Sequence, residues 1–480
     1  MIVADGKPDD LAWDSPAGNG TAVGAEFWVS GQRTVYGFRF AVPLQAEASA
    51  LTYQIGGMAF QIALPGQGQP PRIAYASCNG FSDPKLMKSV DDKNHMWKVM
   101  AARHAVTPIN LLLMGGDQVY ADEVWTAVPE LRAFAEASFA DGNKMRCPAR
   151  LVDKLGAFYF DLYVRRWSQP ELAAMLAAIP TLMMWDDHDT IDGWGSYPPE
   201  RQNCPIFKNG LGPNAAKAFK AMQRQQPADQ PPIGSLFPNT FSKGHVIGRL
   251  AVLAIDMRSE RTIGQVLSPG HWGAIYAWLA GLEEIDHLVI MSSIPVIYPG
   301  FDTLEALLGA WPGYQNLEDD LRDHWNSPDH KVERLRLIHR LLEFARATNI
   351  MPTIVSGDVH VAALGVVESK VDKDAIGNDL TFYQLISSGI VHPGPGATVA
   401  FALNELLDSS DEIDTAVHGR MVTFPTSKQK FIASRNFLTI EPDLDRERAR
   451  LWANWWIENG TKDPLLLTKV VGPLPIRATS

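Results

Sequence analysis

The 480-residue chain has only three cysteines, Cys78, Cys147 and Cys204, widely spaced. That excludes a disulfide framework and a CxxC zinc ribbon. It fits a reducing compartment, or a protein that needs no staples. Long apolar runs are missing too: no stretch approaches the roughly 18 uninterrupted apolar residues of a membrane span, so none is expected. The opening "MIVADGKPDDLAWDSPAG" has neither a basic n-region nor an apolar h-region, so it does not read as a secretory signal. The compartment stays open: cytoplasmic as written, periplasmic if a signal was removed. Basic residues are in deficit, 43 against 54 acids for a net charge of −11. Proteins that hold nucleic acid by its backbone usually carry the opposite balance, which makes such a partner unlikely. Internal repeats and low-complexity runs are absent. What is there is a globular composition, 46% hydrophobic, ample for a large core.

The first 65 or so residues differ from the rest. "AEFWVSG", "TVYGFRFAV" and "LTYQIGGMAFQIAL" are aromatic and β-branched, punctuated by Gly and Pro. They predict a small antiparallel β domain over residues 1–68, closed by a linker at Pro65 to Pro71. From residue 69 to 480 short apolar runs recur, each followed at once by a polar cluster: "RIAYASCNG", "NLLLMGGDQVY", "TLMMWDDHD", "LAVLAIDMRS", "HLVIMSSIP", "PTIVSGDVH" and "FYQLISSG". Helix-like stretches separate them, at Asn94 to His104, Leu151 to Trp167, Pro269 to Leu282 and His330 to Ala347. Alternating buried strands and helices define an α/β domain. Ligands of such sheets bind beyond the carboxyl ends of strands, where every one of these polar clusters falls. Ser196 to Lys243 and Pro299 to Asp329 break the rhythm and are expected to be insertions, lids or rims over a site.

A strand that buries Leu111, Leu112, Leu113 and Met114 gains nothing from acids at its end, yet Asp117, Asp122 and Glu123 follow a Gly-Gly turn. One explanation is a metal held by Asp117 and Tyr120, a phenolate suiting a hard, highly charged ion; the other is a solvated loop. "WDDHDTIDGWGS" packs four acids and a histidine into seven residues. Burying them without a cation would be costly. His188, between carboxylates, has its imidazolium form favoured, as a general acid requires. Asp358 and His360, at i and i+2 after an apolar strand, form a two-ligand metal pattern. Cys78 ends the first strand of the domain and is either a small buried hydrophobe or a thiolate ligand. Arg258 could clamp a phosphate or pair with a neighbouring acid. His392, beside a proline, reads as structural. No GxSxG element marks a serine nucleophile.

Four successive strand ends thus supply Cys78, Asp117 with Tyr120, Asp187 with His188, and Asp358 with His360. The chemistry this suggests is a two- or three-metal site, with hydroxide attacking phosphorus in line. Ser77-Cys78, Gly116-Asp117-x-x-Tyr120, Trp185-Asp186-Asp187-His188-Asp189, Asp256-x-Arg258 and Gly357-Asp358-Val359-His360, in this order, resemble the alkaline phosphatase D (PhoD-like) family of the calcineurin-like metallophosphatases. The resemblance implies a four-layer α/β/β/α core with two facing mixed sheets, and phosphomonoesterase or phosphodiesterase activity with Fe3+ and Ca2+. Zn2+, Mn2+ or Mg2+ would be alternatives. It implies Cys78, Asp117 and Tyr120 as ligands of the ferric ion, with Asp117, Asp187, Asp358 and His360 completing the cluster and Asp192 as a further candidate. His188, Asp117 and Arg258 are the expected catalytic residues, and a small phosphate ester the expected partner. The rival readings are an organophosphate triesterase, a nuclease, and a binding module that keeps the fold without catalysis. Trp194, Trp311 and Trp325 hint at an aromatic rim that would favour diesters.

Overall fold

The computed structural model describes residues 1–299, 325, 330–374, 377–405, 410–443, 450–460 and 462–472. Seven short strands occupy the first 64 residues: β1 (Ile2–Ala4), β2 (Leu11–Ser15), β3 (Gly18–Ala22), β4 (Ala25–Ser30), β5 (Arg33–Gly37), β6 (Ser49–Ile55) and β7 (Met58–Leu64). They make two small antiparallel sheets, ordered β1-β5-β4 and β3-β2-β6-β7.

The remaining strands build two larger sheets. The first contains β8 (Ile73–Ala76), β9 (Leu111–Met114) and β10 (Thr181–Met183), all parallel. The second begins with β11 (Lys243–Ile247), β12 (Leu250–Ala254), β13 (His287–Ser292) and β14 (Pro352–Ser356), and continues through β15 (Ala362–Lys373), β16 (Asp379–Ser387), β17 (Ser410–Glu412), β18 (Val417–Val422) and β19 (Phe431–Ile432). Its strands β12, β13, β14 and β16 run parallel. The chain then returns to the first sheet with an antiparallel meander, β20 (Asn436–Pro442), β21 (Leu451–Ile457) and β22 (Leu465–Val471), in which β20 pairs with β8.

Alternation along the strands explains the layering. Successive side chains point to opposite faces. Tyr75, Leu111 and Leu113 of the first sheet share one core with Val252, Met291, Val355 and Leu385 of the second. Their neighbours Ala74, Leu112 and Met114 turn the other way, onto Met96, Trp97 and Met100 of the helix His95–Val106 and Leu172 of the helix Pro170–Ala178. Ala251, Leu253 and Ile290 face outward onto the helices Pro269–Ala280 and Lys331–Thr348. Four layers result, helix–sheet–sheet–helix. Both sheet faces are covered, which is why these strands read as continuous apolar runs.

Within the expected insertion at residues 196–243, one segment packs as core rather than as a lid. Phe207 to Gln223 is helical, with a π-helical turn at each end, and Phe207, Leu211, Ala215, Phe219 and Met222 point into the inter-sheet core. Spacings of three or four residues between these apolar side chains make a helical stripe, hidden in the sequence among Pro, Gln and Asn. Most of the second expected insertion, with Trp311, lies outside the described residues. Trp325 is 1% exposed and packs beside Trp272, and Trp194 is also buried. Trp325 therefore offers no exposed ring, while Trp194 lines a surface pocket beside Arg258.

Candidate metal centre

The parallel strands of both sheets end at one edge, and their loops meet there. After β8 comes Cys78, after β9 Asp117, after β10 Asp186 to Asp189, after β12 Asp256 and Arg258, after β14 Asp358 and His360, and after β16 Ser388 and His392. Backbone hydrogen bonds tie the first two loops together: Cys78 N donates to Gly116 O (3.1 Å) and Asn79 N to Asp117 O (2.8 Å). The loop after β16 is tied to the first by His392 N donating to Cys78 O (3.1 Å). Gly115 and Gly116 are required for this approach. A Cβ on Gly115 would lie 2.0 Å from the Tyr75 hydroxyl, and one on Gly116, which has φ +123°, 2.8 Å from Asp186 Cβ. Cys78, Asp117, Asp358 and His360 all have positive φ, four of eight such non-glycine residues among those described. Side chains rarely accept that conformation, and where they do the cost usually accompanies a functional site.

Carboxylate oxygens of Asp117, Asp186, Asp187 and Asp358 lie within 4.8 Å of one another. Asp117 Oδ1 is buried and accepts no hydrogen bond. Its Oδ2 is 3.5 Å from Cys78 Sγ, which is also 3.1 Å from Ser388 Oγ. Tyr120 Oη is 3.3 Å from His360 Nε2. Asp187 and His188 form a second potential ligand group with the exposed Asp192. The donor set fits a metal: buried carboxylate oxygens without a hydrogen bond on Asp117 and Asp187, two further carboxylates beside them, and a thiol, a phenol and an imidazole alongside.

Electrostatics point the same way. Burial, then repulsion from Asp187, pushes the Asp117 carboxyl well above its usual range. Burial lifts Asp186 to about 8 against the pull of Arg258. Burial and the nearby Asp117 raise the Cys78 thiol, and burial and Cys78 raise the Tyr120 phenol. Each would ionise readily beside a cation. Burial lowers His360 to about 4, leaving its imidazole neutral, the form that binds metals. His188 behaves oppositely. Burial works against its charge, but Asp122 and Asp187 outweigh it and hold the imidazolium well above the ordinary histidine range. Its Nδ1 lies 2.6 Å from Asp122 Oδ2, and its ring lies against Tyr120 with centroids 4.3 Å apart.

Arg258, 1% exposed, forms an ion pair with Asp186, lies 3.3 Å from Asp187 Oδ1 through Nη2, and donates from Nη1 to Trp194 O. The ion-pair alternative describes its surroundings. Asp256 and Asp189 are anchors. Asp256 accepts from Trp185 Nε1, Phe241 N and Arg258 N. Asp189 accepts from the backbone of Gln118, Val119 and Asp186 and from Gln223 Nε2.

Two residues of the cluster are not singled out by sequence reasoning. Asp186 stands beside Asp187, and strand-end position does not tell adjacent acids apart. Asp122 is five residues from Asp117, and its pairing with His188 spans 66 residues. His392 stacks on His360 at 3.6 Å between centroids.

A two-sheet α/β fold with an acidic cluster at its strand ends defines the class; comparison with known proteins defines the family. The model of the family described as PhoD-related phosphatase matches residues 47–312 and 306–427. The chain belongs to that family. The "Uncharacterized protein YGR266W" of Saccharomyces cerevisiae is 26% identical over 409 residues, 70% of this chain and 57% of the yeast protein. The chain therefore spans little more than half the length of that relative. The solved "Structure of PhoD" superimposes with a TM-score of 0.57 at 15% identity, covering 96% of this chain and 82% of that one. At that identity the likeness is one of fold.

Proposed function

We propose that the chain hydrolyses phosphate esters, monoesters or diesters. Asp117, Asp186, Asp187 and Asp358 would hold the metal ions, with Cys78, Tyr120, Asp192 and His360 completing the ligand set. The observation that carries this reading is a cluster of mostly buried carboxyl groups. Four carboxylates meet within 4.8 Å, and one guanidinium, that of Arg258, contacts two of them. Such a group is costly to bury without further positive charge. Thiol, phenol and carboxylate together suit Fe3+, and the carboxylates suit Ca2+. Bound there, the ions would neutralise phosphoryl oxygens and lower the pKa of a water molecule.

The chain's own residues would do the rest. Asp122 occupies His188 Nδ1, so Nε2 is the nitrogen left to donate a proton to the leaving oxygen. The Asp122 carboxylate keeps that proton in place at neutral pH, and the Tyr120 ring fixes the plane of the imidazole. Arg258 acts as a positioning residue, orienting Asp186 and Asp187. The division of the chain near residue 68 remains part of this proposal.

Elemental analysis of the purified protein tests it, together with turnover of nitrophenyl phosphate and bis(nitrophenyl) phosphate before and after chelation. Stoichiometric iron and calcium, with activity lost on chelation, is the expected result, and the ratio of the two rates selects monoester or diester. No metal and no turnover on either ester would overturn the proposal in favour of a binding module.

A further inference from the structure

The loop that follows β16 supplies no atom to the four-carboxylate group, yet three of the proposed ligands rest on it. Ser388 Oγ lies 3.1 Å from Cys78 Sγ and accepts from His360 N at 2.9 Å. His392 N donates to Cys78 O at 3.1 Å. The His392 ring lies on that of His360, with centroids 3.6 Å apart and planes 19° apart. It also stacks on Tyr120 at 5.6 Å. Tyr120 and His360 meet in turn, Oη to Nε2, at 3.3 Å. Gly389 sets the course of the loop: it has φ +83°, and a Cβ there would lie 2.4 Å from His392 O.

Both nitrogens of His392 are engaged away from the cluster. Nδ1 lies 2.8 Å from Pro393 O, which can only accept, so Nδ1 carries a proton. Nε2 lies 3.2 Å from Ser82 Oγ and accepts from that hydroxyl in the neutral ring. No lone pair is left for a metal. What His392 offers the centre is the face of its ring. His360 needs such support: its φ is +52°, and a backbone in that region persists only where its surroundings hold it.

We propose that His392 is a positioning residue of the metal centre, its ring face holding His360 and Tyr120 in the arrangement that binds metal while its nitrogens bind none. The role rests on the proposed function, which takes His360 and Tyr120 to be ligands. Partners that orient ligands without touching the ion typically change metal affinity by about 10- to 100-fold.

The test compares two variants of the full chain. His392→Leu keeps the bulk and removes the flat ring; His392→Phe keeps a ring that can stack. Both lose the hydrogen bonds to Pro393 and Ser82, so a merely structural His392 would weaken both alike. Wild type and variants are equilibrated with graded EDTA, and retained iron and calcium are measured by elemental analysis, with circular dichroism as the check on folding. His392→Leu should lose about 10- to 100-fold in metal affinity, and His392→Phe should stay within about threefold of the wild type. Wild-type affinity in a folded His392→Leu overturns the role, as does equal loss in the two variants. If His392→Leu does not fold, His392→Phe decides alone: near-wild-type affinity supports the role, and a loss of about tenfold or more overturns it. A wild-type protein that holds no metal overturns the proposed function and this role together, whereas a metal-loaded wild type with an unaffected His392→Leu sinks the role alone.

Discussion

Replacing Asp122 with asparagine isolates the part that a single charge plays at the proposed centre. The carboxylate touches His188 Nδ1 at 2.6 Å through Oδ2, and its Oδ1 accepts from Asp192 N at 2.8 Å. Asparagine keeps the shape and one acceptor, so the Asp192 contact can survive. What goes is the negative charge that, with Asp187, holds His188 protonated. Removing it lowers the His188 pKa. The alkaline limb of kcat/KM should therefore move to lower pH. The loss should be largest at high pH and smallest where His188 is protonated in both proteins. Losing a positioned general acid typically costs on the order of 10²-fold, or ~2.7 kcal/mol. Asp122→Asn should approach that loss at alkaline pH and His188→Ala should show it throughout. Because Asp122 acts only through His188, the double variant should be no slower than His188→Ala alone. The assay is a pH profile of nitrophenyl ester hydrolysis for all four proteins, with metal content checked in each. Multiplicative losses in the double variant at constant metal content would refute the reasoning, since Asp122 would then have a role of its own.

Other outcomes follow from the same structure. Asp117→Asn should lose both bound metal, by elemental analysis, and turnover; full activity would remove Asp117 from the centre. Arg258→Gln removes the contacts to Asp186, Asp187 and the Trp194 carbonyl and should destabilise the metal-free protein by about 1–3 kcal/mol, read from denaturant unfolding. A drop below about 1 kcal/mol would mean that the ion pair matters little. His287, 7% exposed, is pushed down to about 4 by burial, partly opposed by Asp286. Its folded pKa lies below the ordinary 6.5, so the unfolded chain takes up the proton first. The stability it contributes is full above pH 6.5 and is lost as pH falls towards 4, ~3 kcal/mol at most. His287→Leu should flatten that acid limb, seen as a smaller difference in unfolding free energy between pH 7 and pH 5.

The strands were legible because burial on both faces leaves an apolar run that needs no knowledge of its neighbours: Leu111 to Met114 and Pro352 to Ser356 are buried at every position. Helix ends were legible to within a few residues; Asn94 to His104 became His95–Val106. The helical segment from Phe207 to Gln223 was not. Its apolar stripe is diluted by Lys208, Asn209, Lys217 and Lys220, and Pro213 reads as a breaker although the helical segment runs through it, just after a π-helical turn. At the site, positions were legible and pairings were not. The sequence marks Arg258 as a charge at a strand end. Whether that charge meets phosphate or Asp186 depends on contacts 72 residues apart.

The placing of the anchoring acids explains why a cluster of this charge density can hold its shape. Asp189 and Asp256 contribute no ligand atom to the four-carboxylate group, yet each accepts several hydrogen bonds from the loops beside it. Asp189 binds the backbone of Gln118 and Val119, next to Asp117, and that of Asp186. Asp256 receives the Trp185 indole and the backbone N–H of Arg258. The two therefore fix the β9, β10 and β12 loops from behind, where donors neutralise them, while Asp117, Asp186, Asp187 and Asp358 face one another. Asp187 also accepts a backbone N–H, from Gly193 at 2.7 Å, but Asp117 Oδ1 accepts none. Of the two explanations for acids after the "NLLLMGG" strand, that unsatisfied oxygen among neighbouring carboxylates favours the metal. A solvated loop would expose its acids, whereas Asp117 is 1% exposed with an oxygen that nothing in the described chain satisfies.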